Sequence, residues 1–281
     1  VRGKGIAPEL MGTLPTTYPK RTVDETLIGI YWGYDGPPGL GTPPRLYNQV
    51  VREVVDAQGG TAQEHAKLFA MVNAAMGDAG ILAWEQKYVH NLWRPVVGIR
   101  EYDPSMGVVG GAGNNIANDC DPTWLPLGKP ASNADTSKLP AAKNGTPPFP
   151  AYPSGHATFG AAAFQIVRRF YGGPGLADGP DTLFAGLHFV SDECNGVTRD
   201  NKGNVRPNHR RSFPNGLWQM IEENGLSRVY LGVHWNFDAF LLGPMNKPDI
   251  ATSKTKNIGG VPLGLNIADD IFASGLKKST V

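Results

Sequence analysis

The segment from Thr61 to Val97 carries the longest helical pattern in the chain and restricts its fold more than any other feature. Its apolar side chains recur at helical spacing, at Leu68, Val72, Ala75, Ala79 and Leu82. Thr61-Ala-Gln-Glu64 matches a capping box at the start of the segment. The sequence therefore predicts one long helix whose apolar stripe packs against other elements.

Four other segments show the same spacing. They are Arg45 to Ala57, Gly155 to Tyr171, Phe213 to Glu223 and Asn266 to Leu276. Residues 1–43, 98–153 and 172–211 are predicted to be irregular, with one short apolar piece at Leu183 to Val190. With 36 glycines, 24 prolines and almost no alternating pattern, the chain is predicted to be all-α with long irregular loops. Residues 1–43 would form an irregular N-terminal segment and residues 44–281 a helical-bundle domain.

Composition excludes some classes of function. A net charge of +1 with 18% charged residues gives no field for nucleic-acid binding. No run of about 18 apolar residues occurs, so no membrane span is predicted. Cys120 and Cys194 lie in polar, turn-like surroundings without metal-ligand spacing, and they either pair as a disulfide or remain two free thiols.

The stretch from Ser227 to Asp238 combines a cation, an imidazole and a carboxylate in Arg228, His234 and Asp238. If it is helical from His234 onward, His234 and Asp238 share a face. The carboxylate would then fix the tautomer of the ring and leave its other nitrogen free to attack or to ligate. The alternative is a buried ion pair beside a structural histidine.

Lys87 and Arg94 lie seven residues apart in the long helical pattern, which predicts that both project from one face of one helix. Without an acidic partner they repel each other, so an anion is expected between them. The alternative is two surface cations that extend to solvent. Pro95 is expected to end or kink the helix.

Pro153-Ser-Gly-His156 stands at the start of a predicted helix. Unpaired N–H groups there and the Ser154 hydroxyl would bind an anion, and Gly155 would allow close approach of the backbone. His156 could donate a proton to that anion. The alternative is an ordinary serine N-cap followed by a solvated histidine.

The three motifs together suit a tetrahedral oxyanion. They supply three cations, an amide nest, a histidine oriented by a carboxylate and a second histidine for acid–base chemistry. His234 would attach at the centre of the oxyanion and make it five-coordinate, with His156 facing the opposite position.

The order and spacing of these motifs resemble a known signature. Lys is followed after six residues by Arg-Pro, then comes Pro-Ser-Gly-His, then Ser-Arg followed after five residues by His and after three more by Asp. This is similar to the signature shared by vanadium-dependent haloperoxidases and the type 2 phosphatidic acid phosphatase superfamily. Three flanking stretches look like the fungal-type chloroperoxidase branch: Phe149 to Phe159, Leu231 to Asp238 and Gly259 to Gly264.

The resemblance implies a role for each matched position. His234 would bind the vanadium, and the vanadate oxygens would be held by Lys87, Arg94, Ser154, Gly155 and Arg228. His156 would be the acid–base residue, Lys87 would polarise bound peroxide, and Asp35 would pair with Arg228. Trp84 and Phe149 match the aromatic pair of the chloroperoxidase halide pocket, and the alternative is that both are core residues. Phosphate could occupy the same site.

The resemblance also implies an activity, the oxidation of bromide and, given the aromatic pair, chloride by hydrogen peroxide. Hypohalous acid would form and react with a small organic acceptor. Two alternatives stay open: a soluble acid phosphatase with a phosphohistidine at His234, and a non-catalytic oxyanion-binding subunit. Members of this branch have a helical region upstream of the matched part. The chain is therefore expected to be a fragment, or to receive a second helical bundle from a partner chain in a homo- or hetero-oligomer, and to expose apolar surface.

Overall fold

The structure, a computed structural model of the chain, describes residues 21–100, 124–135 and 145–276. Its α-helices are α1 (Val23–Tyr31), α2 (Pro43–Gln58), α3 (Ala62–His90), α4 (Pro95–Arg100), α5 (Gly155–Gly172), α6 (Gly216–Tyr230), α7 (Ile250–Lys256) and α8 (Gly260–Ser274). The described part of the chain is therefore mainly a helical bundle.

Two short antiparallel ribbons accompany the helices. Strand β1 (Leu187–Val190) pairs with β2 (Arg210–Phe213), and β3 (Leu241–Leu242) pairs with β4 (Pro248–Asp249). The predicted helical bundle is confirmed, and these ribbons are an addition to the all-α class. Strands of two to four residues are too short to show a period of two, so the sequence pattern does not reveal them.

Helix α5 forms the centre of the bundle, and most of its residues are buried. Helices α2, α3, α6 and α8 pack around it. Gly260 and Gly264 bring α8 against the backbone of α5. A Cβ at Gly260 would lie 2.5 Å from the carbonyl oxygen of Ser154, and a Cβ at Gly264 would clash with the Thr158 carbonyl. Only glycine permits this approach, and it fixes the start of α5.

The long helix ends earlier than predicted. Helix α3 begins with the predicted capping box, in which Thr61 and Glu64 bond each other's backbone N–H, but it ends at His90. Asn91 adopts a left-handed conformation with φ of 46°, and its N–H donates to the Lys87 carbonyl. Pro95 starts α4 instead of ending α3, because proline fits the first turn of a helix. The prediction that Lys87 and Arg94 share one helix is therefore wrong.

Other helix boundaries also differ from the prediction. The segment predicted to be irregular contains α1, which starts with a capping box between Thr22 and Glu25. Buried residues of α1, including Ile28 and Tyr31, belong to the same core as α2 and α3. Helix α6 continues to Tyr230 and so includes Arg228, and α8 begins at Gly260 instead of Asn266.

The outer side of α3 exposes apolar side chains. Ile81, Tyr88 and Val89 are 64–68% exposed. By length and composition the stretch Ala62–Arg100 could cross a membrane, but one such helix is weak evidence because core helices of globular proteins meet the same criteria. The other side of α3 contributes Leu68, Val72 and similar residues to the core. A second bundle packed against this chain stays a prediction.

The disulfide prediction concerns a residue that the structure does not describe. Cys194 is buried at the end of a 3₁₀ turn, Asp192–Cys194. Cys120 lies outside the described residues. The pairing of the two cysteines therefore stays a prediction.

Candidate oxyanion-binding site

The three sequence motifs meet at one pocket of about 350 Å³. Its lining includes eight of the predicted site residues: Asp35, Trp84, Arg94, Phe149, Gly155, His156, Arg228 and His234. The other three, Lys87, Ser154 and Asp238, are fully buried beside these. Segments far apart in the sequence thus contribute to one site.

His234 is oriented by Asp238, and a 3₁₀ turn brings the two together instead of the α-helix that the spacing predicts. Asp238 lies in a 3₁₀ turn, Asn236–Asp238, and its Oδ2 is 2.7 Å from Nδ1 of His234. The N–H of Trp235 donates to the same oxygen at 2.9 Å. When Asp238 is ionised its oxygen can only accept, so Nδ1 carries the proton and Nε2 keeps its lone pair.

Burial governs the protonation of this pair. It raises the pKa of Asp238 to about 7. Burial and then the cations Arg94 and Lys87 lower the pKa of His234 well below its ordinary value of 6.5. The His234 ring is therefore neutral at neutral pH, as a nitrogen ligand or nucleophile must be.

Arg94 reaches the pocket from the connection between α3 and α4. Its Nε donates to the Phe149 carbonyl at 2.9 Å, and Nη1 donates to the Val233 carbonyl at 2.8 Å. Nη1 also lies 2.9 Å from Nε2 of His234 and so donates to its lone pair. A group that bonded to Nε2 would replace this hydrogen bond, and the Arg94 guanidinium would then lie next to that group.

Lys87 is held by the loop before α5. Its Nζ donates to the carbonyls of Pro150 at 3.2 Å, Ala151 at 2.9 Å and Pro153 at 2.5 Å, so that in the charged form all three protons bond to the backbone. Burial, and then the charge of Arg94, lowers the pKa of Lys87 to about 6. Lys87 thus fixes the loop that leads to Ser154, and a nearby anion would raise its pKa.

Arg228 and Asp35 form a buried bidentate ion pair. Nη1 and Nη2 donate to the two carboxylate oxygens at 2.8 and 2.9 Å, and the side chains are 1% and 8% exposed. Burial opposes ionisation of Asp35, but the charge and hydrogen bonds of Arg228, together with other nearby groups, outweigh it and keep the pKa of Asp35 below 3.8. The pair that the resemblance implies is present, and it holds the guanidinium at the pocket wall.

Ser154 and Gly155 form the N-terminus of α5. The Ser154 hydroxyl accepts from the N–H of Ala157 at 3.4 Å, a long capping bond. The N–H of Ser154 donates to the Asp238 carbonyl at 2.8 Å and so joins this helix start to the His234 turn. A Cβ on Gly155 would lie 2.9 Å from the Trp84 ring. The position therefore has room for glycine alone.

His156 is held at both its ring and its backbone. Nε2 lies 2.7 Å from the Gly33 carbonyl, which can only accept, so Nε2 carries a proton and Nδ1 can accept one. The His156 carbonyl accepts from the Tyr47 hydroxyl at 3.0 Å and from Nδ2 of Asn224 at 2.7 Å. Burial, and then the charge of Arg228, lowers the pKa of His156 to about 3, so the ring is neutral at neutral pH.

An aromatic wall closes one side of the pocket. The Trp84 and Phe149 rings lie 5.2 Å apart between centroids, and Phe159 lies 6.1 Å from Trp84. The guanidinium of Arg94 sits 5.0 Å from the Phe149 centroid. Trp84 and Phe149 thus contact each other as the resemblance implies, while their role toward halide stays a prediction.

Some residues of the site have no signal in the sequence. Phe159, Lys129 and a set of prolines also line the pocket. Phe159 has helical spacing that indicates only a core position. Lys129 lies between two stretches that have no regular pattern, so no spacing argument could place it.

Glu193 supports the site from behind and was also missed. Its fully buried carboxylate accepts from the Ser132 hydroxyl at 2.5 Å and from Arg206 Nη1 at 2.8 Å. A Cβ on Gly33 would lie 2.8 Å from Oε1 of Glu193. The Gly33 carbonyl accepts a hydrogen bond from His156. The buried pair of Glu193 and Arg206 therefore packs behind the turn that positions His156 and Asp35.

Gly155→Ala tests the close approach at the start of α5. The added methyl would press on Trp84, so we expect phosphate affinity of the chain to fall at least about tenfold. Calorimetric titration with inorganic phosphate measures it. Gly77→Ala in α3 is the matched control, because a Cβ there meets nothing within 4 Å. Equal phosphate affinity in Gly155→Ala and the unaltered chain would contradict the assignment.

The donors in the pocket fit an oxyanion. Nη2 of Arg94 and Nε of Arg228 are buried and have no hydrogen-bond partner among the described residues. An unpaired buried donor is costly, and an anionic acceptor would relieve the cost. No group of three or more His, Cys, Asp or Glu side chains in the described ranges could hold a metal cation. The donor set therefore fits an oxyanion.

Comparison with known proteins identifies the family. Residues 67–241 match the family model described as the VCPO second helical-bundle domain. Vanadium chloroperoxidase of Curvularia inaequalis is 37% identical over 331 aligned positions, which cover 98% of this chain and 51% of that protein. The chain thus spans about half the length of this curated relative.

A solved structure shares the fold. A bacterial vanadium-dependent iodoperoxidase superposes with a TM-score of 0.57 at 20% identity, covering 90% of this chain and 44% of that one. At this identity the likeness shows the fold alone. The family match over more than half of the chain carries the assignment. The chain belongs to the vanadium chloroperoxidase family, and its residues 67–241 match the second helical bundle of that family.

Proposed function

We propose that the chain carries the active site of a vanadate-dependent haloperoxidase, which oxidises halide with hydrogen peroxide to hypohalous acid. One observation supports this most: a neutral His234, whose unprotonated Nε2 accepts only from Arg94 Nη1, lies in one pocket with the unpaired donors of Arg94 and Arg228. Such an arrangement suits an oxyanion whose central atom accepts one nitrogen ligand. The family membership supports vanadate as that oxyanion.

Vanadate would be held by one bond and several hydrogen bonds. Nε2 of His234 would bind the metal, and Asp238 would keep the ring in the required tautomer. Hydrogen bonds to the oxygens would come from Arg94, Arg228, Ser154 and the N–H of Gly155. Lys87 donates to three backbone carbonyls and would act on the oxygens through its charge. When bound, the metal supplies Lewis-acid activation of peroxide without changing its own oxidation state.

His156 is the proposed acid–base residue. Its Nδ1 can accept a proton from incoming hydrogen peroxide, since Nε2 is committed to the Gly33 carbonyl. The protonated ring can then return that proton to the departing oxygen as water. Halide, peroxide and one proton thus yield hypohalous acid and water, and a small organic acceptor consumes the hypohalous acid.

The aromatic wall supports chloride as well as bromide as substrate. Trp84 and Phe149 exclude water from one side of the pocket, so an incoming halide loses part of its hydration there. A less hydrated chloride is easier to oxidise. We therefore propose that chloride is turned over, with bromide as the easier substrate.

An acid phosphatase is the second candidate, because phosphate has the charge and shape of vanadate. His234 would attack phosphorus, and His156 would protonate the leaving alcohol. The same unpaired donors of Arg94 and Arg228 favour this reaction equally. The third candidate is a non-catalytic oxyanion-binding subunit. It would give no chemical role to the unprotonated Nε2 of His234 or to Nδ1 of His156.

One assay separates the three candidates. The chain is incubated with vanadate, hydrogen peroxide and either bromide or chloride, and halogenation of a phenolic dye is followed. In parallel, hydrolysis of p-nitrophenyl phosphate is followed with and without vanadate. We expect dye halogenation that requires vanadate with both halides. Phosphate-ester hydrolysis that vanadate inhibits, without halogenation, would replace this proposal, and neither activity would support the binding subunit.

A further inference from the structure

Lys129 lines the oxyanion pocket and has no place in the proposed chemistry. Its side chain is partly buried, and its backbone is fixed where two loops meet. The N–H of Lys129 donates to the Gly145 carbonyl at 3.0 Å, and the N–H of Gly128 donates to the Leu231 carbonyl at 2.9 Å. Gly145 has φ of +62°, and a Cβ there would lie 3.0 Å from the Lys129 nitrogen. The position of Lys129 at the pocket wall is thus set by tight packing.

Among the residues that the structure describes, the ammonium group of Lys129 has no dedicated partner. Arg228 already binds both oxygens of Asp35. Lys129 interacts with Asp35 only through space, and it has no hydrogen bond or ion pair to its ammonium group within the described part of the chain. Lys87 and Arg94, in contrast, are bound to backbone carbonyls. Lys129 is therefore a spare positive charge on the pocket.

A partly buried positive charge raises the local concentration of small anions. The pocket has apolar walls of low dielectric constant, which strengthen and focus the field of the ammonium group. Of the two small substrates in the proposed reaction, halide is an anion and hydrogen peroxide is neutral. The positive charge of Lys129 on the pocket wall thus attracts halide and not hydrogen peroxide.

We propose that Lys129 forms a halide subsite that draws halide into the pocket next to the aromatic wall. The proposal rests on the haloperoxidase function proposed above. It adds a residue that raises the affinity of the pocket for halide. Lys129 contributes to halide binding and takes no part in holding the oxyanion.

Steady-state kinetics of Lys129→Gln test the subsite. We expect the KM for bromide to rise about fivefold or more, while the KM for peroxide and the turnover at saturating bromide stay within about twofold. Lys129→Arg is expected to restore the bromide KM. Lys202→Gln, at an exposed lysine away from the pocket lining, is the matched control. Equal changes in both KM values, or an unchanged bromide KM, would overturn the proposal.

A binding measurement separates this proposal from the haloperoxidase function itself. Chloride NMR line width is followed on the chain saturated with inorganic phosphate, so that the oxyanion site is filled and no turnover is required. Broadening that decreases in Lys129→Gln but not in Lys202→Gln supports the subsite even if the chain halogenates nothing. Equal broadening in all three proteins overturns the subsite even if the chain is an active haloperoxidase.

Discussion

Replacement of His234 by alanine is expected to lower vanadate-dependent halogenation by at least about a thousandfold. The variant loses the proposed bond to the metal. The other histidine of the pocket, His156, has its Nε2 bound to the Gly33 carbonyl. Turnover of bromide at saturating vanadate measures the effect. Vanadate affinity should fall in parallel, because the remaining contacts act only through charge and hydrogen bonds.

His188→Ala is the control for the His234 prediction. His188 is exposed, lies on β1 and shares a hydrogen bond with the Ser212 hydroxyl at 2.8 Å. Its removal should leave halogenation unchanged within about twofold. Retained halogenation in a folded His234→Ala variant would show that the metal ligand has been misassigned.

Asp35→Asn is expected to lower the free energy of unfolding by about 3–5 kcal/mol. The substitution leaves the Arg228 guanidinium buried, 1% exposed, without the carboxylate that balances its charge. Urea unfolding at neutral pH measures the loss. Inorganic phosphate should stabilise the variant more than the unaltered chain, because a bound anion offsets part of the missing negative charge.

Acid provides a second readout for the same pair. The pKa of Asp35 in the folded chain lies below 3.8, so its contribution is present above that value and is lost as pH falls through the lowered folded-state pKa. The stabilities of Asp35→Asn and the unaltered chain should therefore converge in acid. A gap that stays constant with pH would contradict the ion-pair account.

Asp24→Asn is the matched control for Asp35→Asn. The Asp24 side chain is 61% exposed, and its partner Arg211 keeps a second carboxylate, Glu223. An exposed pair contributes at most about 1 kcal/mol, so the control should differ little from the unaltered chain. Similar losses of unfolding free energy in both variants would mean that burial does not account for the stabilisation by the Asp35 and Arg228 pair.

The sequence predicted the members of the site better than the local geometry that unites them. Lys87 and Arg94 were placed on one helix, yet α3 ends between them at a left-handed Asn91. His234 and Asp238 were paired through a helix, yet a 3₁₀ turn brings them to 2.7 Å. Spacing indicates which residues act together but not the backbone conformation between them, because several conformations can bring the same side chains into contact.

Residues in loops could not be predicted in the same way. Lys129 and Glu193 reach the site from segments without periodicity, and only the folded chain shows that their loops meet it. Helix α1 did have a signal, the capping box between Thr22 and Glu25, which the high proline and glycine content of the segment obscured. The two ribbons are too short for a pattern of alternation to be recognised.

A crystal structure of the chain soaked in vanadate would test the central claim most directly. That claim is that Nε2 of His234 makes the one direct protein bond to vanadium, with every other contact through oxygen. The predicted result is vanadium at a bonding distance of about 2 Å from Nε2, with Arg94 Nη2 and Arg228 Nε donating to its oxygens. Vanadium bound elsewhere, or bonded to a second protein atom, would contradict the account.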